Sequence, residues 1–180
     1  YTCETMMDNR ELEILIRFRL YNEALAIQYL IPEQESMDSV FTLDEDLTHF
    51  EFTSDHTLWA TNREMPNIGP VKISDFQSIG KDELQTPVVF ITEKENYIGI
   101  HEADITKFSH IHLKKSVGEF GFRASVLPSR GSFPDSTSWR VILLGKSPGE
   151  LIASNVLENL CPSSKTNEFD WVKPGKSMWD

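Results

Sequence analysis

The sequence has little of the positive charge and none of the long apolar runs that mark nucleic-acid-binding and membrane-spanning proteins. Lys and Arg number 17 against 28 Asp and Glu, which gives a net charge of −11. Phosphate binding depends on clustered cations, so this balance disfavours nucleic acid and, equally, an anionic membrane surface. Apolar runs stay well below the roughly 20 residues that a transmembrane helix needs. We therefore expect no nucleic-acid partner and no membrane insertion.

Cysteine and nucleotide-binding motifs are also scarce. Cys3 and Cys161 lie near opposite ends of the chain. One possible pair cannot define a disulfide scaffold, and neither has metal-type spacing, so we expect two free thiols. Gly-Lys-Ser occurs at 145–147 and 175–177 without the upstream glycine of a phosphate loop. No Gly-x-Ser-x-Gly nucleophile elbow is present.

The sequence does contain clear alternation of apolar and polar residues. Apolar residues alternate with charged ones from Leu12 to Leu20, which is the period of a strand with one buried face. After a turn candidate at 21–23, a second apolar run from Ala24 to Ile31 completes a hairpin. Further strands are predicted at Phe41–Leu43, Thr48–Phe52, Pro87–Thr92, Tyr97–His101, Ile111–Lys114, Gly121–Leu127 and Trp139–Leu144.

Helix signals are rare. Ser147 is a candidate N-cap, followed by proline at the first helical position and by Glu150, which predicts a helix over Pro148–Ser154. The composition of Ser129–Ser138 predicts a loop. Many short strands with one or two short helices indicate an all-β fold, an antiparallel β-sandwich or barrel. With no repeat and no linker, we expect a single domain over residues 1–180.

Glu102 is the first candidate for a functional residue. On a strand it would share a face with Ile98 and Ile100, and a buried carboxylate without a partner is costly. A cation, an arginine or water at the strand end could each satisfy it, and the spacing favours water. Calcium needs about six to eight oxygens. Glu102 and Asp104 together cannot supply them.

His110 and His112 are the second candidate. They lie on one strand face if Ile111 and Leu113 point inward, and two imidazoles at this spacing can bind zinc. The sequence suggests no third or fourth ligand. Two solvated histidines on the wet face of the strand are therefore the preferred interpretation.

Acidic residues are dense between residues 38 and 51. Two carboxylates hydrolyse glycosidic bonds when they are held about 5–10 Å apart. On a surface this acidic, however, most carboxylates serve solubility, and we assign no catalytic pair. The residues concerned are Asp38, Asp44, Glu45, Asp46 and Glu51.

The four tryptophans divide by context. Trp139 precedes an apolar run and is predicted to lie in the core. Trp171 and Trp179 flank a Lys-Pro-Gly-Lys turn, and large rings are costly to leave in water. We expect both to pack against a neighbouring domain of a larger protein. Trp59 could stack on a sugar ring.

Several phrases, in this order, resemble the N-terminal domain of glycoside hydrolase family 97, which includes bacterial α-glucosidases and α-galactosidases. The likeness runs over nearly the whole chain, and the ordered set of phrases carries it. The phrases are Phe18-Arg19-Leu20-Tyr21-Asn22, Ile31-Pro32-Glu33-Gln34, Phe41-Thr42-Leu43, Ile98-Gly99-Ile100-His101-Glu102-Ala103, Ser138-Trp139-Arg140-Val141-Ile142, Gly149-Glu150-Leu151-Ile152 and Asp170-Trp171-Val172-Lys173-Pro174-Gly175-Lys176.

The resemblance implies a galactose-mutarotase-like β-supersandwich, shortened at its N-terminus, that packs on a catalytic (β/α)8 barrel following residue 180. It implies that Glu102, which matches the family's His-Glu-Ala phrase, donates a ligand to calcium in the barrel's active site. The missing partners would then explain why Glu102 lies on an apolar face. The family's aromatic pair is reduced here to Trp59-Ala60, so sugar contact at that point is not carried over.

Three functions follow as hypotheses. The first is a non-catalytic domain, inactive alone, of a periplasmic or secreted bacterial enzyme that acts on α-linked oligosaccharides. The alternative is a free-standing carbohydrate-binding module with exposed aromatic residues. A mutarotase-like epimerase is the weakest, because it needs a histidine and a carboxylate that converge. His101 and Glu102 are strand neighbours and point to opposite faces.

Overall fold

Short antiparallel strands are the main secondary structure of the chain. The computed structural model describes residues 2–7, 10–34, 40–62, 65–116 and 120–163, with Lys173 and Gly175, and the side chains from Leu12 onward. Its strands are β1 Thr2–Met7, β2 Arg10–Leu20, β3 Ala24–Ile31, β4 Val40–Leu43, β5 His49–Glu51, β6 Thr57–Thr61, β7 Ile68–Lys72, β8 Glu83–Ile91, β9 Tyr97–Ala103, β10 His112–Lys115, β11 Gly121–Ser125, β12 Ser129–Ser132, β13 Asp135–Ser136 and β14 Trp139–Gly145. Its helices are α1 Pro148–Ile152 and α2 Val156–Leu160, and a 3-10 turn covers Phe76–Ile79.

Twelve of the described strands join one antiparallel sheet. The hydrogen-bonded order is β1-β2-β3-β14-β9-β8-β10-β11-β5, with β13 added to β3 and β6 paired to both β7 and β8. β4 and β12 form a separate pair. The sheet curls on itself, since Phe50 of β5, Leu58 of β6 and Ile100 of β9 meet in one buried cluster. The predicted all-β sandwich class is confirmed.

The central strands β9 and β14 separate two cores. On one face Ile100 is buried in the main cluster, and Ile142, directly opposite it in register, packs against that cluster. On the other face Trp139 and Val141 pack with Val156 and other residues of the two helices. Residues of even number on both strands thus face the main core. That parity decides which charged residues of these strands meet inside the protein.

The alternation of apolar and polar residues in the sequence predicted most of the strands. Every predicted strand overlaps a strand of the structure, and the hairpin turn is closed by the Tyr21 N–H, which donates to the Ala24 carbonyl at 2.8 Å. The predicted helix is confirmed over Pro148–Ile152. Its N-cap is Ser147, whose Oγ accepts from the Glu150 N–H at 3.3 Å.

The predicted loop over Ser129–Ser138 is wrong. It contains β12 and β13, which pair with β4 and β3. Gly131 lies so close to Phe41 that an added Cβ would overlap the ring. Serine and glycine at this point therefore reflect close packing of the backbone against an aromatic ring. Judged by composition alone, a segment rich in these residues is predicted to be a loop. The alternation also missed β1, β6, β7 and α2.

The hydrophobic face of β2 is only partly covered by the described residues. Phe18 is 43% exposed and Leu20 81% exposed, whereas the alternation predicts one buried face. Cys161 is exposed and has no disulfide partner among the described side chains; the side chain of Cys3 lies outside them. No helix in the described ranges has the length and apolar character that crossing a bilayer requires.

We predict that Gly69→Ala destabilises the fold more than Gly80→Ala. Both glycines have positive φ, at +118° and +72°, so alanine is strained at each by about 1–2 kcal/mol. At Gly69 the new Cβ would also lie 2.5 Å from the Leu58 carbonyl oxygen, whereas at Gly80 nothing lies within 4 Å. Urea unfolding should therefore give a total loss of about 3 kcal/mol or more at Gly69. Equal losses would contradict this.

Candidate functional site

Glu102 lies inside the protein, on the face that the strand parity predicts. Glu102 is 3% exposed, and it lies opposite Arg140 in the register of β9 and β14. Residues directly opposite in an antiparallel pair have neighbouring side chains on the same face. The sheet therefore brings one acid and one base together at the edge of the main core.

The carboxylate of Glu102 is fully engaged within the chain. Oε1 accepts from the Ser138 hydroxyl at 2.7 Å, and Oε2 accepts from the Ile111 N–H at 2.7 Å. The Arg140 guanidinium lies 3.7 Å from Oε1. The favoured interpretation, water at the strand end, is thus wrong, and the arginine alternative is correct. The suggestion that Glu102 lacks its partners is wrong as well.

Arg140 is the centre of this cluster. It is 1% exposed, and its Nη1 donates to the Ser138 carbonyl at 2.7 Å and to the Ser138 hydroxyl. Its Nη2 donates to Oδ2 of Asp46. Nε has no hydrogen-bond partner within the described part of the chain. A buried arginine is stable only when acids and carbonyls compensate its charge, as two carboxylates do here.

Asp46 was grouped with solvated surface acids, and that interpretation is wrong. Its residue is 7% exposed, and its Oδ1 accepts from the Thr48 N–H at 2.8 Å. Burial alone would raise the pKa of Asp46, but the charge of Arg140 and hydrogen bonds from Thr48 and Arg140 outweigh it and hold the pKa below its usual value. Of the other acids of that group, Asp44, Glu45 and Glu51 are exposed, and Asp38 lies outside the described residues.

The cluster, which we call the Arg140 network, joins four stretches of chain. Asp46 follows β4, Glu102 is the penultimate residue of β9, Ile111 directly precedes β10, and Ser138 and Arg140 lie on either side of the first residue of β14. Because both buried carboxylates are hydrogen-bonded to fixed donors, neither is free to act as a general acid or base. The network can position segments. It offers no acid–base pair for hydrolysis.

The Arg140 network does not fit a calcium site in this arrangement. Calcium takes six to eight oxygens, whereas Glu102 supplies two, both already accepting hydrogen bonds, with a side chain that is 0% exposed. A guanidinium 3.7 Å away also disfavours a second cation. Across the described ranges, no group of three His, Cys, Asp or Glu side chains could hold a metal ion.

The two histidines occupy the positions that the alternation predicts. Ile111 and Leu113 are fully buried, so His110 and His112 project to the opposite face. Their Nε2 atoms lie 2.8 Å apart, and Nδ1 of His112 lies 2.9 Å from Oε1 of Glu83. Sequence reasoning missed Glu83. It lies on β8, where register places it beside Lys114 of β10.

Of the tryptophans, Trp139 lies in the core as predicted. Trp139 is 2% exposed in the core cluster under the helices, and the Arg19 guanidinium lies 4.9 Å from its ring centroid. Trp59 is 40% exposed on β6. Trp171 and Trp179, which were predicted to pack on a neighbouring domain, lie outside the described residues.

Comparison with known proteins identifies relatives of this fold. The sequence model described as "Glycosyl-hydrolase 97 N-terminal" matches residues 2–162. A glycoside hydrolase family 97 enzyme from Pseudoalteromonas sp. strain K8, solved in complex with acarbose, superposes with a TM-score of 0.83 at 22% identity over 96% of this chain. A β-arabinopyranosidase gives a TM-score of 0.64 at 16% identity over 81%. This chain covers 27% of the length of each.

We predict that Arg140→Met destabilises the fold by about 3–5 kcal/mol, because it leaves two buried carboxylates without their cation. Urea unfolding followed by circular dichroism measures the loss. Arg130→Met is the matched control: Arg130 is exposed on β12, and the same substitution there should change stability by less than about 0.5 kcal/mol. A small loss at Arg140 would show that its charge is not needed.

We further predict that Asp46 contributes to the acid sensitivity of the fold. Its folded pKa lies below the usual 3.8, so its contribution is complete above that pH and is lost as the pH falls through the folded value. Asp46→Asn should therefore lower stability at neutral pH and flatten the decline below about pH 4. Urea unfolding over a pH series tests this, with the exposed Asp44→Asn as control. Parallel curves for Asp46→Asn and the parent chain would contradict it.

Proposed function

The chain belongs to the glycosyl-hydrolase 97 N-terminal family, and from this we propose that it serves as the non-catalytic domain of a glycoside hydrolase acting on α-glucosides or α-galactosides. The observation that carries the proposal is the family match over residues 2–162, together with a shared fold that accounts for only 27% of the length of solved family 97 enzymes. The remaining length leaves room for a catalytic barrel on which this domain packs.

The chemistry of the buried acids supports a non-catalytic role. Glycosidases need one carboxyl group that can give a proton and a second that can act as base or nucleophile. The guanidinium of Arg140 favours the ionised form of Asp46 and holds its pKa below the usual value, while both oxygens of Glu102 accept hydrogen bonds from Ser138 and Ile111. An acid held ionised cannot protonate a leaving group at neutral pH. The proposed domain therefore contributes shape and position, and the catalytic carboxylates belong to the barrel.

The proposal includes the class of sugar on which the longer enzyme acts. Solved family 97 enzymes from Pseudoalteromonas sp. strain K8 hold acarbose in one structure and panose in another. α-Glucosides are therefore the first substrates to test for the longer enzyme, with α-galactosides second. A periplasmic or secreted location, which the family resemblance implies, stays a prediction.

The calcium role of Glu102 also stays a prediction. In the arrangement described above, its oxygens are occupied by Ser138 and Ile111, so ligation in the longer enzyme requires that one of these contacts be exchanged. What the carboxylate does within this chain is structural: it holds the backbone just before β10 against the end of β9.

The test compares the chain alone with the longer natural polypeptide that contains it. We expect hydrolysis of 4-nitrophenyl α-glucoside or α-galactoside only by the longer protein. In that protein Glu102→Gln should weaken the dependence of the rate on added calcium, whereas Asp44→Asn, which changes an exposed acid, should not. Thermal unfolding of both variants separates a calcium effect from loss of the fold.

Two outcomes would overturn parts of the proposal. Turnover by the chain alone would refute its non-catalytic role. Calorimetric binding of maltooligosaccharides to the chain alone, abolished by Trp59→Ala, would instead favour the carbohydrate-binding module, since Trp59 is the one described tryptophan with substantial exposure. Unchanged calcium dependence in Glu102→Gln would remove the ligand role and leave the domain assignment intact.

A further inference from the structure

We propose that His110 and His112 form a chelating site for a divalent transition-metal ion of the kind that prefers tetragonal nitrogen coordination, Cu²⁺ or Ni²⁺. Their Nε2 atoms converge to 2.8 Å, and Glu83 holds the far side of one ring at 2.9 Å. Imidazole nitrogen is a ligand that suits both ions. This inference is independent of the proposed glycosidase role.

The backbone fixes the two rings on one face. Ile111 between them is fully buried, and its N–H donates to Glu102 at 2.7 Å. Leu113, the next residue of the same parity, is also fully buried and stands opposite Leu84 of β8. The strand therefore cannot rotate to separate the histidines without exposing two core residues. Such pre-organisation lowers the entropic cost of binding an ion.

Glu83 selects the tautomer of the His112 ring that a metal ligand needs. Nδ1–H of His112 donates to Oε1 of Glu83, which leaves Nε2 of His112 with a free lone pair. A carboxylate behind a ligating histidine is the usual outer partner in metal sites. In the metal-free state Nε2–H of His110 donates to that lone pair. When the ion binds, this proton moves to Nδ1 of His110, so both Nε2 atoms can coordinate.

The distances between the rings are compatible with a 90° angle at the metal. Two nitrogens about 2.05 Å from an ion are about 2.9 Å apart at 90° and about 3.3 Å apart at the tetrahedral angle. The corresponding ring centroids are about 4.5 and about 5.2 Å apart. The observed values are 2.8 Å and 4.7 Å. The nitrogens are at hydrogen-bond distance without the ion, and only a small movement of the rings is needed to reach the right-angle geometry that is typical of Cu²⁺ and Ni²⁺.

The site is open to an ion from solution. His110 is exposed, the His112 side chain is 19% exposed, and both line a cavity of about 440 Å³ together with Glu83 and Gln85. Lys114, 3.9 Å from Glu83, lines the same cavity. Its repulsion is offset by Glu83 and by the net charge of −11. Because the described chain supplies no cluster of three ligands, water completes the coordination and the affinity is that of a two-histidine chelate.

The experiment titrates the untagged chain with Ni²⁺ by calorimetry and records the electron paramagnetic resonance spectrum with Cu²⁺. Thiols are first blocked by alkylation, so that the exposed Cys161 does not reduce or bind copper. We expect one ion per chain and an axial Cu²⁺ spectrum with coupling to two imidazole nitrogens. His110→Gln and His112→Gln should each weaken binding at least about tenfold, and Glu83→Gln should weaken it by about tenfold.

His49→Gln is the matched control, because His49 is an exposed strand histidine on β5 and its loss should leave the affinity unchanged. His110, His112, Glu83 and His49 all project away from the core, so circular dichroism should show that each variant is folded. Absence of saturable binding by the parent chain would overturn the proposal. So would equal binding by the His110→Gln, His112→Gln double variant, or a spectrum with fewer than two coupled nitrogens.

Discussion

The buried guanidinium of Arg140 is the constraint on which the arrangement of this domain depends. An arginine with 1% exposure cannot be tolerated without compensating charge, and Asp46 and Glu102 supply that charge from two distant parts of the sequence. Each acid is in turn fixed by a backbone N–H, of Thr48 and of Ile111. A single buried cation thus determines where the chain after β4 and the start of β10 must lie.

Strand parity makes the positions of these charges understandable. Even-numbered residues of β9 and β14 face the main core, and Glu102 and Arg140 each continue that apolar face at the end of its strand. An acid on the apolar face of one strand and a base on the apolar face of another indicate that the two strands are neighbours. The alternation showed that Glu102 faces inward. It could not name its partner, because register between distant strands is set by tertiary packing and not by the sequence of either strand.

The dependence of strand pairing and side-chain contacts on tertiary packing also explains the other incorrect predictions. β12 and β13 exist because β4 and the last two residues of β3 pair with them, and nothing in Ser129–Ser138 itself has strand periodicity. Asp46 lies among exposed acids of the same type, and only its contact with Arg140 distinguishes it. By contrast, the hairpin of β2 and β3, the capped helix α1 and the facing pair of His110 and His112 follow from local spacing, and all were predictable. Local periodicity fixes elements and faces, and long-range register fixes partners.

The position of Ile111 links the Arg140 network to the histidine pair. Its N–H is held by Glu102 on the inner side of the sheet, while the residues on either side of it present imidazoles on the outer side. Any change at Glu102 that releases this N–H therefore also loosens the spacing of His110 and His112. A loss of Cu²⁺ or Ni²⁺ binding in a Glu102 variant would therefore report the positioning of the two histidines, because Glu102 lies on the opposite face of the sheet from their rings. Variants of His110, His112 and Glu83, compared with variants of Glu102, distinguish the loss of a metal ligand from a change in how the two histidines are positioned.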